Sequence, residues 1–127
     1  MTWRSAVAAV GLLAASAGIF AAGAASTPTP DAIDGAGLFV AKGCASCHDG
    51  PETTSMLDVG PSLAAASTWA SARRAGMDAE AYLTESITSP SAFTSPASTL
   101  GAAMPEIAVT SDEVDLLVEH LLRSSAG

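Results

Sequence analysis

The sequence AKGCASCHDG, residues 41–50, contains both cysteines of the chain and one of its two histidines. Two residues separate Cys44 from Cys47, and His48 follows the second cysteine directly. Thiols and imidazoles are the side chains that most readily bind metals or form covalent bonds to other groups. The chemistry assigned to this segment therefore determines most of what the protein can do.

Three familiar uses of a Cys-x-x-Cys pair fit this chain poorly. A thioredoxin-like dithiol lies in a βαβ unit, whereas Cys44 follows a helical pattern in a chain without strand patterns. A zinc site needs four ligands, and the two cysteines and His48 lie too close together in sequence to surround one ion easily. A structural disulfide between Cys44 and Cys47 would close too short a loop to stabilise a whole domain.

The fourth use is covalent attachment of a c-type haem, for which Cys-x-x-Cys-His is the signature. The two thiols add to the vinyl groups on one edge of the porphyrin. The histidine that follows then lies under the macrocycle and can donate a ring nitrogen to the iron. We therefore predict one covalent haem c, attached at Cys44 and Cys47, with His48 as an axial iron ligand.

Residues 1–25 combine one cation, Arg4, with a run rich in alanine, glycine and leucine. This layout is typical of an export signal with a cleavage site near Ala24 or Ala25. An uncleaved membrane anchor is the alternative, because the apolar run approaches the roughly 20 residues that cross a bilayer. In either case we predict an exported protein that acts in the periplasm or elsewhere outside the cytoplasm, free or anchored to the membrane.

The rest of the chain is predicted to form one small domain. Residues 26–30, STPTP, form a short spacer, and residues 31–127 form the domain. A domain of this size buries only a modest core. Small exported domains usually add a disulfide, a metal or a cofactor to become stable, which agrees with a bulky haem.

The domain is predicted to be all-α, because no segment alternates apolar and polar residues as a half-buried strand does. Asp78 is a suitable N-cap for a second helix, and Thr110 with Glu113 forms a capping box before a long apolar stripe. Predicted helices cover residues 31–42, Asp78 to just before Pro90, and Thr110 onward. Residues 49–68 and 89–105 are predicted to be mostly loop, and a loop as long as the second usually has a function.

Four segments resemble, in order, the signatures of the class I cytochromes c with a single haem. The similarity is greatest to the cytochrome c domains associated with bacterial respiratory oxidases, and it covers residues 31–123. The resemblance implies the small class I fold, in which the N- and C-terminal helices cross around a covalently bound haem. The segments are GAGLFVAKGCASCH (35–48), GPSL (60–63), YLTESITSP (82–90) and MPEIAVTSDEVDLLVEHLL (104–122).

A second axial ligand has four candidates besides an open position. Met56 lies too near His48 in sequence to reach the far side of the ring easily, and Met77 fits a hydrophobic staple before the second helix. His120 lies beside the apolar stripe of the last helix, where a histidine is usually structural. The resemblance assigns the ligand to Met104, and His/Met ligation raises the reduction potential and closes the iron to substrates.

The resemblance also implies roles for residues around the haem. The carbonyl of Pro61 accepts the second ring N–H of His48, which fixes the histidine tautomer. Trp69 is assigned to the haem propionates, with Arg73 and Arg74 as further candidates, because carboxylates need donors. The walls of the haem site are assigned to three apolar residues: Leu63, Leu83 and Ile87.

The chain departs from the family pattern in two places. The last helix normally carries an aromatic residue that packs near a glycine of the first helix; here His120 takes that place, and we expect it against Gly35 and Phe39. The segment before Met104 also lacks the Gly-Tyr-Pro wording common in the oxidase-linked members. The second departure concerns the path of the loop rather than the ligand.

The charge of the chain limits its partners. Thirteen acidic residues outnumber five cations, for a net charge of −8. Removal of residues 1–25 would also remove Arg4 and leave thirteen acids and four cations, a net charge of −9. A phosphate backbone needs a basic surface, so nucleic acid binding is not expected. The complementary partner is a redox protein with a basic docking surface.

These observations predict an electron carrier rather than an enzyme. It would pass one electron between respiratory redox partners through a haem with His/Met ligation, without a small-molecule substrate. Two alternatives remain: a membrane-anchored electron-entry subunit of a larger oxidase or dehydrogenase, and a haem enzyme or gas sensor with an open sixth coordination position.

Overall fold

The computed structural model describes residues 33–99, 101 and 103–123 of the chain. These residues are helical and contain no strand, apart from an isolated bridge between Gly50 and Thr53. The predicted all-α class is therefore confirmed, whereas the predicted leader and spacer, residues 1–30, lie outside the described residues. Helices cover α1 (Gly35–Ala41), α2 (Ala66–Arg73), α3 (Ala79–Thr88) and α4 (Ser111–Arg123), with 3-10 turns at Cys44–Ser46 and Pro90–Ala92.

Residues next to helix α1 determine where it begins and where it ends. The carboxylate of Asp34 accepts a hydrogen bond from the Gly37 amide at 2.8 Å and caps the N-terminus, so the helix begins after the predicted residue 31. At the other end Gly43 adopts a φ of 81°, a left-handed conformation that glycine tolerates best. That turn directs the chain from α1 straight into the Cys44 segment.

Helices α1 and α4 pack closely at Gly35, as predicted. A Cβ at Gly35 would lie 2.2 Å from the Leu116 carbonyl oxygen and 2.5 Å from the His120 Cβ, so only glycine fits there. The His120 ring lies 6.2 Å from the Phe39 ring in a tilted arrangement. The histidine therefore occupies the place of the usual aromatic residue against the first helix.

The caps predicted for α3 and α4 are present. Asp78 accepts a hydrogen bond from the Ala81 amide at 2.7 Å, and α3 ends just before Pro90. At α4 the Glu113 carboxylate accepts from the Thr110 amide at 2.9 Å, and the Thr110 hydroxyl accepts from the Glu113 amide at 3.3 Å. This reciprocal pair is a capping box and fixes where α4 begins.

Helix α2 was not predicted, and the loop expected over residues 49–68 is wrong from Ala66 onward. Ala66 and Ala70, one turn apart, are both completely buried. Small side chains let a helix approach its neighbours closely, and α2 packs against α3 and α4. Its buried face therefore consists of alanines, which a search for large apolar residues does not detect.

The core lies between all four helices, α1, α2, α3 and α4, and forms one wall of a cavity. It comprises Leu38, Phe39, Ala66, Ala70, Tyr82, Leu83, Val114, Leu117, Val118 and Leu121. In the part of the chain that the structure describes, no helix has both the length and the apolar character needed to cross a membrane.

Candidate functional site

A large cavity opens between the helices and the two loops that connect them. Its space is about 1110 Å³ when the open solvent at its mouth is included. The cavity wall contains every site residue predicted from the sequence: Cys44, Cys47, His48, Pro61, Leu63, Trp69 and Met104. Residues separated by 60 positions, from 44 to 104, thus meet at one place.

His48 is held on this wall in a defined orientation. Its side chain is buried, with 8% exposed, and Nδ1 lies 2.8 Å from the carbonyl oxygen of Pro61. Because a carbonyl only accepts, Nδ1 must carry the proton and donate it. The lone pair of a neutral imidazole is then on Nε2, the nitrogen that remains for a metal. The hydrogen bond that the resemblance implied is present.

Gly60 makes this arrangement sterically possible. A Cβ at Gly60 would lie 2.4 Å from Cε1 and 2.5 Å from Nδ1 of His48, so a larger residue would displace the ring. The Gly60 amide also donates to the Cys47 carbonyl at 2.9 Å. The sequence analysis did not assign Gly60; a glycine directly before the expected acceptor Pro61 was the available signal.

The two cysteines lie side by side on a compact turn at the edge of the cavity. The amides of Cys47 and His48 donate to the Cys44 carbonyl at 3.1 and 3.0 Å, which closes the turn. Both thiols are free and half-buried. Burial raises the pKa of the Cys44 thiol, so it stays protonated at neutral pH. Addition of a thiol to a vinyl group consumes that S–H bond.

Among the methionines that the structure describes, Met104 is the one that lines the cavity. It is half-buried, whereas Met56 is 83% exposed and Met77 packs against the core away from the wall. His120 packs on Phe39 instead. Of the candidate second ligands, the structure therefore brings only Met104 to the same cavity as His48.

The segment that carries Met104 is attached to the rest of the molecule by long-range hydrogen bonds. The hydroxyl of Thr99 donates to the Val59 carbonyl at 2.8 Å, next to Gly60. The ammonium of Lys42 donates to the Ala108 carbonyl at 2.9 Å and pairs with Glu113 at 2.8 Å. Lys42, just before the cysteine turn, thus holds the chain that leads from Met104 into α4.

One wall of the cavity is aromatic. The rings of Trp69, Tyr82 and Phe93 meet edge to face, with centroids 6.3 and 6.1 Å apart. Edge-to-face contacts of this kind stabilise aromatic clusters. All three residues line the cavity, although the sequence analysis had assigned only Trp69 to it.

The two arginines proposed for the propionates lie behind this wall. Arg73 stacks over the Trp69 ring at 4.5 Å, and Arg74 lies 5.3 Å from the Phe93 ring. Arg74 also forms an ion pair with Glu85. Neither guanidinium is among the groups that line the cavity, so Trp69 is the proposed propionate residue that reaches it.

Comparison with known proteins identifies a family. A family model described as "Cytochrome c" matches residues 32–125, the greater part of the chain. No curated protein and no solved structure matches significantly. The match decides between the four uses of Cys44, Cys47 and His48 in favour of haem attachment.

Proposed function

Because the chain belongs to the cytochrome c family, we propose that it passes single electrons between redox proteins with its haem iron held by His48 and Met104. The cofactor is one covalently attached c-type haem, which supplies a one-electron ferric/ferrous couple. The chain is thus an electron carrier at the level of its family. Its ligand pair, its partners and its compartment are the proposed details.

The residues of the cavity fit this group. A macrocycle with apolar faces suits a wall built largely of aliphatic and aromatic side chains. Free thiols at Cys44 and Cys47 lie on that wall beside an imidazole whose Nδ1 donates to Pro61 and whose Nε2 is left for a metal. The missing Cβ of Gly60 leaves the space that the imidazole occupies.

His48 and Met104 would contribute differently to the function. Donation from Nδ1 to Pro61 keeps the His48 ring in one orientation and increases the basicity of Nε2. The Met104 thioether is a soft donor, and softness favours the ferrous state, which raises the reduction potential. If His48 and Met104 both hold the iron, the chain itself would exclude water and substrates from it.

The observation that carries the proposal is the placement of Met104 on the cavity that contains the fixed His48. In the ferric holoprotein, Met104→Ala should abolish the weak far-red absorption band that an iron–sulfur bond produces. Met56→Ala is the matched control, because Met56 is exposed at the surface. A band that survives Met104→Ala, or disappears in Met56→Ala, would show that the ligand is misassigned.

Carbon monoxide binding to the same proteins distinguishes this function from that of a haem enzyme or gas sensor. Carbon monoxide should not bind the reduced wild-type protein appreciably, because the thioether occupies the sixth position, and it should bind Met104→Ala. Rapid binding to the wild type would favour an open site.

We also propose that residues 1–25 direct export and that the domain acts outside the cytoplasm among respiratory redox proteins. The supporting pattern is the apolar run followed by small residues at Ala24 and Ala25. Intact-mass analysis of the exported protein should give the chain from residue 25 or 26 onward plus one haem. A mass that includes residues 1–25 would instead favour the membrane-anchored subunit.

A further inference from the structure

Met56 and Leu57 are adjacent large apolar side chains that lie in solvent. They are 83% and 61% exposed, more than the other exposed large apolar residues, of which Ile33 and Val40 are 56% and 58% exposed. Single exposed apolar residues are normal on protein surfaces, whereas neighbouring ones form a patch that suits contact with another molecule.

This patch is hydrogen-bonded directly to the turn that carries the cysteines. The Met56 amide donates to the Ala45 carbonyl at 3.3 Å, and the Leu57 amide donates to the Ser46 carbonyl at 3.0 Å. Ala45 and Ser46 are the two residues between the haem-attachment thiols. The patch therefore lies beside the edge of the cavity at which the haem is covalently held.

The loop that presents the patch has a fixed shape. Asp49 accepts a hydrogen bond from the Ser55 amide at 2.7 Å, and Gly50 and Thr53 pair with each other at 2.7 and 3.4 Å. Asp58, next to Leu57, has a φ of 48°, a backbone state that residues other than glycine rarely adopt. The bonds within the loop and the left-handed turn at Asp58 leave Met56 and Leu57 at the exposed surface.

The charge around the patch has one sign. The same loop contains three acids, Asp49, Glu52 and Asp58, and no lysine or arginine occurs between Lys42 and Arg73. Glu52 and Asp58 are exposed. A second copy of the chain would bring acid against acid, and an anionic lipid surface would be repelled in the same way. A basic protein surface has the complementary charge.

We propose that Met56 and Leu57 are the docking patch for a redox protein whose own electron-transfer site is surrounded by lysines and arginines. This inference rests on the proposed electron-transfer function. Apolar contact at Met56 and Leu57 forms the centre of the encounter, and Glu52 and Asp58 pair with cations at its rim. Redox encounters of this kind are small and short-lived, so a patch of two side chains is large enough to matter.

The test uses a strongly basic mitochondrial-type cytochrome c in which zinc replaces iron. After a light pulse, the excited zinc porphyrin gives one electron to the ferric haem of this protein. The electron then returns to the zinc porphyrin radical cation. The combined variant Met56→Ser with Leu57→Ser should lower the second-order quenching rate constant at least about fivefold, which corresponds to about 1 kcal/mol, a loss that only a minority of interface residues exceed.

One control tests the apolar part of the patch, and a second pair of variants tests its acidic rim. Ile33→Ser with Val40→Ser removes two other apolar side chains that are more than half exposed and should change the rate constant less than about twofold. Glu52→Gln with Asp58→Asn should flatten the fall of the rate constant with added salt, whereas Glu80→Gln with Asp115→Asn should leave more of that dependence. Asparagine suits the backbone of Asp58, because it tolerates positive φ.

The outcomes distinguish the docking patch from the function on which it rests. If the Met56 and Leu57 variant is quenched at the same rate as the wild type, the docking patch is wrong. The proposed electron-carrier function would still stand. Failure of the wild-type ferric protein to accept an electron from any reductant would overturn the function itself. A loss of self-association, or of binding to anionic phospholipid vesicles, in the same variant would assign the patch to those partners and overturn our choice.

Discussion

The two loops that face the cavity are built in different ways. The His48 loop, residues 43–63, is closed by hydrogen bonds within itself, such as Gly60 to Cys47 and Leu63 to Asp49 at 2.9 and 2.7 Å. The Met104 loop, residues 93–109, is attached through distant residues, among them Thr99 to Val59 and Lys42 to Ala108. The histidine side is thus organised locally, whereas the methionine side depends on the rest of the fold.

This difference bears on the order in which the two proposed iron ligands, His48 and Met104, would take their places. A locally formed His48 loop can position the cysteines and the imidazole before the whole chain is folded. The Met104 loop can take its place only after α1 and the His48 loop provide Lys42 and Val59. We therefore expect the methionine side to open at a lower free energy than the histidine side.

The largest effect is expected from Gly60→Ala, which breaks the His48 loop at its tightest point. The new Cβ would lie 2.4 Å from the His48 ring, so the ring or the Pro61 carbonyl must move. Crowding of this kind costs about 1–3 kcal/mol in the free energy of unfolding, measured by urea denaturation of the holoprotein.

Gly37→Ala is the control for a lost glycine. Its Cβ would lie 3.0 Å from a flexible Ile33 side chain, within a helix that alanine favours. If Gly60→Ala unfolds at the wild-type urea concentration, the His48 loop is not as tightly constrained as its contacts indicate.

A smaller effect is expected from Thr99→Val, which removes a bond between the two loops. One exposed hydrogen bond contributes about 0.5–1.5 kcal/mol, so binding of external imidazole to the ferric iron should tighten about 2- to 10-fold. Thr88→Val is the control, because the Thr88 hydroxyl donates within α3 at a similar 2.8 Å. An equal increase in imidazole affinity for both variants would argue against a specific role of Thr99 in closure.

The smallest expected effect is on how the free energy of unfolding changes with pH in the acid range. Hydrogen bonds from Lys42 and from the Thr110 amide lower the pKa of Glu113. Because the pKa is lower in the folded state, the ionised carboxylate stabilises the fold at any pH above the ordinary glutamate pKa. This stabilisation is lost as the pH falls through the pKa of the folded state. Glu113→Gln should therefore be less stable than wild type near pH 7 and equal to it in strong acid.

Glu119→Gln is the control for this pH effect, since Glu119 forms an exposed pair with Arg123 within one helix. Urea midpoints measured from neutral pH into the acid range give the comparison. A difference between wild type and Glu113→Gln that persists unchanged in acid would rule out the ionised carboxylate as its cause.

Local patterns predicted the parts of the molecule that are built locally. The cap at Asp78 and the capping box at Thr110 depend on residues within a few positions, and both were predicted. Helix α2 was missed because its buried face is Ala66 and Ala70, whose importance depends on how closely α3 and α4 approach.

The candidate site divides in the same way. The spacing of Cys44, Cys47 and His48 specifies an attachment chemistry without any tertiary structure. Gly60 was missed because its contact with His48 arises only when the loop folds back. Trp69 was assigned through resemblance. Its aromatic neighbours Tyr82 and Phe93 were missed because they lie on other segments of the chain and meet Trp69 only in the folded structure.

The position of Trp69 gives the protein a built-in optical reporter. The chain has two tryptophans, and the other one, Trp3, belongs to the segment that we propose is removed on export. In the mature protein Trp69 would then be the single indole, set on the wall of a cavity filled by a strongly absorbing porphyrin. Its emission should be quenched while the domain is folded and should increase when α2 separates from the haem.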